Sequence, residues 1–371
     1  MNRANWVKAV VLIGAASIIT AIGCAQQPTQ SSSAGGVPQY QVEPFWPKPL
    51  KDNWIWGQVS SVSVDPRDHV WVLHRPATLL ADDKLAQQKP PTATCCVSAP
   101  PVMEFDRDGN FVQGWGGPGQ GYDWPKNEHG LHVDWQNNVW IAGNDPADHH
   151  ILKFTRDGKF LLQIGKPGKS EGSNSRTQLG RPGAIVTDAA ANEVIVGDGY
   201  GNHRVIVFDA TTGAYKRHWG AYGAVPDDTK QPPFNPNAAP PKQFGNPHCV
   251  RQTNDKKIYV CDRPHQRVQV FQANGTYLRE FIIPSQSLSG PVADTVASID
   301  AQQRYLFVAD GGNSQVNILN REDGRIVGNF GRPGRMAGEF RSLHNMAIDS
   351  KGNIFTAEAG FGRRVQKFKL Q

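Results

Sequence analysis

Short runs in which apolar and polar residues alternate recur along most of the chain, and turn-forming residues separate them. Alternation with a period of two places every second side chain on one face, which is typical of β-strands. Six segments share one order: an alternating run, an Asp-containing turn, a second run, a loop and a third run that ends in Phe or Leu. The first runs occupy residues 59–65, 129–134, 184–188, 248–253, 295–300 and 344–349.

A fourth run follows in five of the six segments, after a dipeptide that supplies the positive φ of a tight hairpin. Examples are Asp108-Gly109, Asp157-Gly158, Asn274-Gly275 and Asp323-Gly324. The sixth segment ends without a fourth run, and residues 40–46 near the N-terminus supply one. Four-stranded units in series, with the last shared between the chain ends, predict an all-β, six-bladed β-propeller. A pair of β-sandwiches is the alternative, which the even spacing disfavours.

Three of the eleven histidines share one register of the repeat. His129, His248 and His344 each begin a first run and stand five residues before the residue that opens the turn. The corresponding positions of the other segments are Ser60, Gly183 and Thr295. Because the first strand of each blade lines the channel of a propeller, the histidines would converge from alternate blades. Three neutral imidazoles with an open fourth position are typical of a zinc site. The alternative is that each histidine caps a strand or fills the channel mouth.

The ends of the second runs lie on the same predicted face, because the second strand returns to where the first began. They carry Arg75, Tyr200 and Arg263. Two arginines beside a metal would bind a carboxylate bidentately. A tyrosine close to a cation can have a lowered pKa and act as a base. Each of the three is otherwise explained as a surface residue or an ion-pair partner.

The N-terminus has the features of a lipoprotein signal peptide over residues 1–23, with a basic start and small residues before Cys24. Its apolar stretch, residues 9–23, is short for a membrane span of about 20 residues. An ordinary secretory signal is the alternative. We expect lipidation of Cys24, a flexible tether over residues 24–38 and the propeller over residues 39–371. The protein would then be exported and held by its lipid anchor on the periplasmic side of the outer membrane.

Four further cysteines would pair in an oxidising envelope. Cys249 and Cys261 flank a turn symmetrically, which predicts a cross-strand disulfide. Cys95 and Cys96 are neighbours. A strained ring between them, two free thiols and a partner outside the chain are all compatible with the sequence.

The ordered set of histidine, tyrosine and arginine residues resembles that of the peptidyl-α-hydroxyglycine α-amidating lyases, within the wider group of NHL-repeat propellers. The matching segments are Gly57-Gln58-Val59-Ser60, His74-Arg75, His129-Gly130-Leu131, Asp198-Gly199-Tyr200, Pro247-His248, Asp262-Arg263 and His344. The resemblance implies a zinc-dependent lyase that cleaves the N–C bond of a C-terminal α-hydroxyglycine. The products would be a peptide amide and glyoxylate.

Site residues follow from the resemblance position by position. It implies zinc on His129, His248 and His344. It implies Tyr200 as the base on the substrate hydroxyl, with Arg75 and Arg263 holding the carboxylate or the developing charge. It also implies a calcium ion deeper in the channel, bound partly by the main-chain oxygens of Val59 and Leu131.

The chain departs from the family pattern around its last histidine, where Ser342 and Asn345 replace a methionine and an aspartate. The change at Asn345 removes a charged calcium ligand, and the change at Ser342 alters the substrate pocket. Gly201 stands where the family has a disulfide cysteine.

Other functions remain compatible with the sequence. A non-catalytic propeller would bind a peptide, a glycan or a partner protein. A calcium-dependent hydrolase or lactonase would need carboxylate ligands, in which this face is poor. The net charge of +6 comes without a basic run or a nucleic-acid motif, so no nucleic-acid partner is indicated. We expect a monomer that acts on a small molecule or a peptide C-terminus.

Overall fold

In the computed structural model, which describes residues 36–232, 234–284 and 290–371, the alternating runs form β-strands. Strands near the channel are buried on both faces, and Val139–Gly143 is buried at every position. The fourth strand of a unit is more exposed, as in Phe160–Gly165. The predicted signal peptide, Cys24 and most of the predicted tether lie outside the described residues.

The described residues form six four-stranded antiparallel sheets, which are blades 1 to 6 in chain order. Blade 1 comprises Gln58–Val64, Val70–Arg75, Val102–Phe105 and Phe111–Trp115. Blade 2 comprises Glu128–Val133, Val139–Gly143, His150–Phe154 and Phe160–Gly165. Blade 3 comprises Ala184–Asp188, Glu193–Asp198, Arg204–Asp209 and Tyr215–Trp219. Blade 4 comprises Pro247–Gln252, Ile258–Asp262, Arg267–Phe271 and Tyr277–Ile282. Blade 5 comprises Val292–Ala297, Tyr305–Asp310, Gln315–Asn320 and Ile326–Phe330. Blade 6 comprises Leu343–Ile348, Ile354–Glu358, Arg364–Leu370 and the N-terminal Tyr40–Glu43.

The N-terminal strand closes the ring. Tyr40–Glu43 pairs antiparallel with Arg364–Leu370, with Tyr40 opposite Leu370. This pairing gives blade 6 its fourth strand, as the sequence predicted. The all-β, six-bladed propeller is therefore confirmed, together with its closure by an N-terminal strand.

The hydrophobic core fills the spaces between adjacent blades. Trp140, Ile185 and Phe208, for example, belong to one buried cluster that joins blades 2 and 3. The aspartate that opens the turn between the first and second strands of a blade can form a hydrogen bond to this core, as Asp134 does in blade 2. Asp134 accepts the indole N–H of Trp140 and two backbone N–H groups of its own turn. A single carboxylate therefore shapes the hairpin and satisfies a buried indole.

The inner strand begins with a β-bulge in five of the described blades. The bulged residues are Ser60, His129, His248, Ala293 and His344. A bulge inserts one unpaired residue and re-aims its side chain, and bulges are common beside active sites. In blade 3, Gly183 holds the corresponding position immediately before the inner strand.

Blade 5 departs from the sequence prediction, which placed Thr295 in the register that Ala293 occupies. Thr295 stands five residues before Asp300, which was expected to open the turn. The turn opens earlier, at Ser298, whose N–H donates to the carbonyl of Tyr305 across a longer loop. Asp300 lies inside that loop and accepts the hydroxyl of Ser298.

A long loop joins the second and third strands of blade 1. The loop that follows Arg75 contains the 3₁₀-helices Pro76–Thr78 and Ala81–Gln87, and Val97–Ser98 pairs in parallel with Trp54–Ile55. Short 3₁₀-helices also occur at Ala221–Gly223 and Arg263–His265, and Arg332–Pro333 pairs with Glu339–Phe340. None of the helices among the described residues is long and apolar enough to cross a membrane.

Removal of the Tyr40 side chain should destabilise the propeller at its closure. The Tyr40 ring centroid lies 5.4 Å from that of Phe307 and 4.8 Å from that of Phe330, and the hydroxyl donates to the carbonyl of Gly352. We expect Tyr40→Ala to lower the free energy of unfolding by about 2–4 kcal/mol, because it leaves a cavity between aromatic rings. Urea unfolding measures the change.

Phe45→Ala is the matched control, because the side chain of Phe45 is 89% exposed. This variant should unfold at the same urea concentration as the wild type. Equal losses of stability in the two variants would show that Tyr40 does not hold the ring closed.

Candidate metal centre

His129, His248 and His344 meet at the channel axis. The distances between their ring centroids are 5.0, 4.8 and 4.9 Å, which describe a nearly equilateral triangle. One nitrogen from each ring lies within 4.8 Å of the other two. The shared register in the repeat thus brings together three side chains that are about a hundred residues apart in sequence.

A hydrogen bond to the next blade orients each imidazole. The Nδ1 atoms of His129, His248 and His344 lie 2.7, 2.6 and 2.7 Å from main-chain carbonyl oxygens. The carbonyls belong to Gly183, Ala293 and Ser60, which are the residues at the same register of blades 3, 5 and 1. A carbonyl only accepts, so each Nδ1 carries the proton and each Nε2 presents its lone pair. This pattern is the one that supports metal-binding histidines in proteins.

Gly130 permits the first of these hydrogen bonds. A Cβ atom at this position would stand 2.7 Å from the carbonyl oxygen of Gly183, the oxygen that His129 binds. A larger residue would therefore force blades 2 and 3 apart at the point where His129 is held.

Carboxylates at the ends of the second strands fix the loops that lead into the histidine-bearing strands. Asp262 accepts the N–H groups of Gly245 and Asn246, just before His248, and forms a buried ion pair with Arg267. Glu358 accepts the N–H of Arg341 and pairs with Arg364 on the approach to His344. His248 and His344 are thus supported on their own blades as well as by the neighbouring ones.

The three histidines are neutral over a wide pH range. Burial lowers the pKa of His344 to about 3, and Arg263 and Arg75 act in the same direction. Burial also holds the pKa values of His129 and His248 well below the ordinary range, with added repulsion from His344 and Arg75 at both and from Arg263 at His248. Neutral imidazole is the form that binds metal.

Tyr200 lies beside the triad, where its hydroxyl donates to Nε2 of His129 at 2.8 Å. Arg263 and the side chain of Asn144 also interact with the Tyr200 hydroxyl. Burial raises the pKa of Tyr200, and the opposing effects of Arg263 and Arg75 do not reverse it. The lowered pKa expected from the sequence therefore does not arise from the protein's own charges.

Arg75 and Arg263 lie on the same face. The Nε of Arg75 donates to the carbonyl of Glu128 at 2.7 Å, and its Nη1 donates to Gln58 at 2.9 Å. The Nε of Arg263 lies 3.4 Å from the carbonyl of Gly290. Among the described residues, neither guanidinium has a carboxylate within ion-pair distance. The arginines that begin the third strands of three blades differ in this respect, because each pairs with a carboxylate; they are Arg204, Arg267 and Arg364. Both charges are therefore available to an anionic ligand.

Asn144 and Gln58 complete the face, and the sequence reasoning did not select them. Asn144 directly follows the second strand of blade 2. It is equivalent in the repeat to Arg75 of blade 1 and Arg263 of blade 4. Its Oδ1 accepts Nδ2 of Asn127 at 2.5 Å, which leaves its own amide hydrogens for Tyr200. The strand-end rule, applied to every blade, would have identified Asn144.

The remaining predicted residues lie apart from the triad or beneath it. Cys249 and Cys261 stand opposite each other and are joined, as are Cys95 and Cys96 in the long loop of blade 1. Leu131 lines the channel below the histidines. The side chain of Val59 packs in the core between blades 1 and 6.

The channel below the histidines contains an ion pair. Arg251, three residues after His248, binds both carboxylate oxygens of Asp294. Asn345, which follows His344, donates to the same carboxylate at 2.7 Å. These side chains and the histidines line one cavity.

The histidine triad fits a divalent metal, on the chemistry of its donors. Nε2 of His248 is buried and has no hydrogen-bond partner among the described residues, which is costly unless a ligand binds it. A second acidic and histidine cluster, formed by Asp65, His69 and Glu104, does not fit. Its carboxylates are already paired with Arg67 and Arg156.

Comparison with known proteins agrees with the resemblance seen in the sequence. The NHL repeat family model matches residues 244–271, which lie in blade 4. Peptidyl-alpha-hydroxyglycine alpha-amidating lyase 1 of Drosophila melanogaster is 27% identical over 271 residues, covering 67% of this chain and 46% of that protein. NHL repeat-containing protein 3 of Mus musculus is 24% identical over 277 residues, covering 72% of each. This chain therefore spans less than half of the first relative, although it is similar to both.

A solved streptogramin B lyase superimposes with a TM-score of 0.54 over 90% of this chain and 98% of that one, at 13% identity. At this identity the likeness concerns the fold alone. The resemblance to the amidating lyases and the NHL-type propeller are confirmed. Relatives that are lyases make a lyase the first enzyme class to consider.

Replacement of a triad histidine should abolish stoichiometric metal binding. We expect about one zinc ion per chain in the wild type, and a zinc affinity at least about 100-fold lower in His248→Ala, which loses one of three ligands. Elemental analysis after dialysis against zinc measures the stoichiometry, and competition with a chelator of known zinc affinity measures the affinity. His218→Ala, on the outer strand of blade 3, is the control and should keep full occupancy. Stoichiometric zinc in His248→Ala would exclude the triad as the site.

Metal-free protein should lose stability in acid, because its buried histidines resist protonation. Burial lowers the pKa of His74 and of His132 to about 4, and that of His344 to about 3. The unfolded chain, with histidine pKa values of about 6.5, takes up protons first as the pH falls. Stability is therefore complete above about pH 6.5 and declines toward about pH 3, by up to about 1.4 kcal/mol per pH unit per histidine.

Urea unfolding in the presence of a chelator, at a series of pH values, measures this slope. His74→Gln should flatten the slope by the contribution of one histidine, whatever its effect on stability at neutral pH. An unchanged slope in that variant would show that His74 does not titrate as proposed.

Proposed function

We propose that this protein is a zinc-dependent lyase of the peptidyl-α-hydroxyglycine amidating type, which cleaves an α-hydroxyglycine or a similar carbinolamide to an amide and glyoxylate. The observation that carries the proposal is the joint geometry of the site. Three oriented neutral imidazoles converge beside a buried tyrosine, and on the same face lie two arginines that form no ion pair with the described residues.

The charge of the pocket suits a substrate with a carboxylate. Arg75 and Arg263 carry fixed positive charges at the rim of a triad that is itself neutral. A guanidinium binds a carboxylate with two parallel hydrogen bonds, which also orients it. An α-hydroxyglycine ends in a carboxylate next to the carbon that bears the hydroxyl group. Binding of that carboxylate by the arginines would bring the hydroxyl toward the histidines and Tyr200.

A zinc ion on His129, His248 and His344 would supply a Lewis acid that polarises a bound substrate oxygen. Tyr200 then accepts the proton of the substrate hydroxyl. The O–H electrons form the C=O bond of glyoxylate as the C–N bond breaks. The amide nitrogen takes up a proton, so that the reaction consumes nothing beyond the substrate.

The ionisation of Tyr200 depends on its surroundings. Burial raises its pKa despite Arg263 and Arg75. An additional positive charge beside His129 would act in the opposite direction and favour the phenolate. The hydrogen bond from Tyr200 to Nε2 of His129 must also break when that nitrogen binds metal. Both effects would change the Tyr200 hydroxyl from a hydrogen-bond donor into a proton acceptor once a metal ion is bound.

We further propose that the reaction takes place outside the cytoplasm. The lipoprotein-like N-terminus would anchor the monomeric propeller to the envelope, where its substrate would be a small molecule or a peptide C-terminus. Detergent extraction of the full-length protein, followed by mass analysis of Cys24, tests the anchor.

A non-catalytic role is the second candidate. The similarity to NHL repeat-containing protein 3 covers as much of that protein as of this chain. The hydrogen bond of Tyr200 to His129 also satisfies one of the three metal-facing nitrogens without a metal. In this role the arginine-rich face would bind an acidic partner, and a peptide or glycan ligand would bind equally well with or without zinc.

Glyoxylate release from α-hydroxyhippurate tests the lyase proposal. Purified protein loaded with zinc should form benzamide and glyoxylate in equal amounts, and chelation should stop the reaction. A protein that binds zinc through the triad but releases no glyoxylate would rule out this activity and favour the second candidate.

Substitutions should separate proton transfer from substrate binding. We expect Tyr200→Phe to lower kcat by about 10²–10⁴-fold, because it removes the proton acceptor. Arg263→Ala should act mainly on KM, raising it about 10–100-fold through loss of a charge-assisted contact. Tyr215→Phe, on the outer strand of blade 3, is the matched control and should keep wild-type kinetics. A Tyr200→Phe enzyme with normal kcat would exclude Tyr200 as the base.

A further inference from the structure

Arg251 occupies the channel directly below the histidine triad. Its Nε donates to Oδ1 of Asp294 and to the carbonyl of Thr295, each at 3.1 Å. Its Nη2 lies 2.5 Å from Oδ2 of Asp294 and 3.0 Å from the carbonyl of Met346. The Arg251 guanidinium therefore donates hydrogen bonds to a carboxylate and two main-chain oxygens of blades 5 and 6. Oxygen atoms of these kinds are the ligands that calcium prefers.

Asp294 has no capacity left for a metal ion. Besides Arg251, its carboxylate accepts the backbone N–H of Thr295, the backbone N–H of Met346 and the side-chain amide of Asn345. These contacts lie between 2.7 and 2.8 Å. The side chain is almost completely buried. Binding of a cation here would require several of these hydrogen bonds to break.

Asn345 is committed in the same way. Its Oδ1 accepts the backbone N–H of Val62 at 2.7 Å and the hydroxyl of Ser61 at 3.2 Å. Its amide group donates to Asp294. The layer therefore links blades 1, 4, 5 and 6 through a closed set of hydrogen bonds. Its formal charges, one guanidinium and one carboxylate, cancel.

The resemblance to the amidating lyases implies a calcium ion in this part of the channel, and these residues do not fit one. Calcium takes six to eight oxygen ligands, usually with several carboxylates. Here the oxygens bind donors, and a guanidinium would repel the ion at close range. We infer that Arg251 is the resident cation of the channel, so that the protein folds without calcium and binds a single metal ion at the histidines.

The wild-type protein provides the first test. Samples dialysed against millimolar calcium and against a calcium-selective chelator should have the same Tm to within about 1 °C, since no ligand stabilises the folded state. Elemental analysis of the calcium-dialysed sample should find no stoichiometric calcium. Calcium at about one ion per chain, with a Tm that falls on chelation, would overturn the inference. This readout is independent of zinc binding and of lyase activity.

An Arg251→Ala variant provides the second test. Removal of the guanidinium leaves the Asp294 carboxylate and the carbonyls of Thr295 and Met346 around an unfilled position. The variant should have a lower Tm than the wild type. Millimolar calcium should then raise that Tm by roughly 2–4 °C, because an ion can take the vacated place.

The matched control is Arg251→Ala combined with Asp294→Asn. It has the same vacancy without the carboxylate, so calcium should not change its Tm. An Arg251→Ala variant that folds but shows no more response to calcium than the double variant would contradict the inference. Where Arg251→Ala does not fold, the comparison of the calcium-dialysed and calcium-free wild-type protein decides the inference by itself.

Discussion

The hydrogen bond from each channel histidine to a carbonyl of the next blade is the contact on which the candidate metal centre depends. It makes Nδ1 the protonated nitrogen of every ring and turns every Nε2 toward the axis. Each bond joins two blades, so the triad is positioned by the packing of the ring rather than by any one strand. The β-bulges at the histidines make this possible, because an unpaired residue can turn its side chain out of the sheet.

The distribution of charge along the channel follows from this arrangement. The triad is neutral because burial and the nearby arginines disfavour protonated imidazole. Above it, Arg75 and Arg263 have no carboxylate partner among the described residues, so the face is positive. Below it, Arg251 is matched by Asp294. The positive charge of this face therefore lies where a ligand would enter, and Nε2 of His248 is left without a hydrogen-bond partner among the described residues.

The sequence was sufficient for the repeat and for the histidine register, because both depend on local spacing. His129, His248 and His344 share an interval of five residues to a turn of common length. The same count failed in blade 5, where a longer turn at Ser298 shifted the register by two residues. Arg251 and Asp294 could not be selected in this way, since the residue type at each of their register positions differs from blade to blade. Their pairing depends on how far the side chain of Arg251 reaches across the channel, which only the assembled ring determines.

The closure of the ring and the position of His344 depend on the same junction, between blades 6 and 1. His344 binds the carbonyl of Ser60, and the neighbouring Asn345 binds the backbone N–H of Val62. Both contacts cross the junction between blades 6 and 1, which the N-terminal strand helps to hold by completing blade 6. A shift at this junction would carry Ser60 away from His344 and leave Nδ1 of that ring without its acceptor. The geometry of the third histidine is therefore secured by residues at the opposite end of the chain.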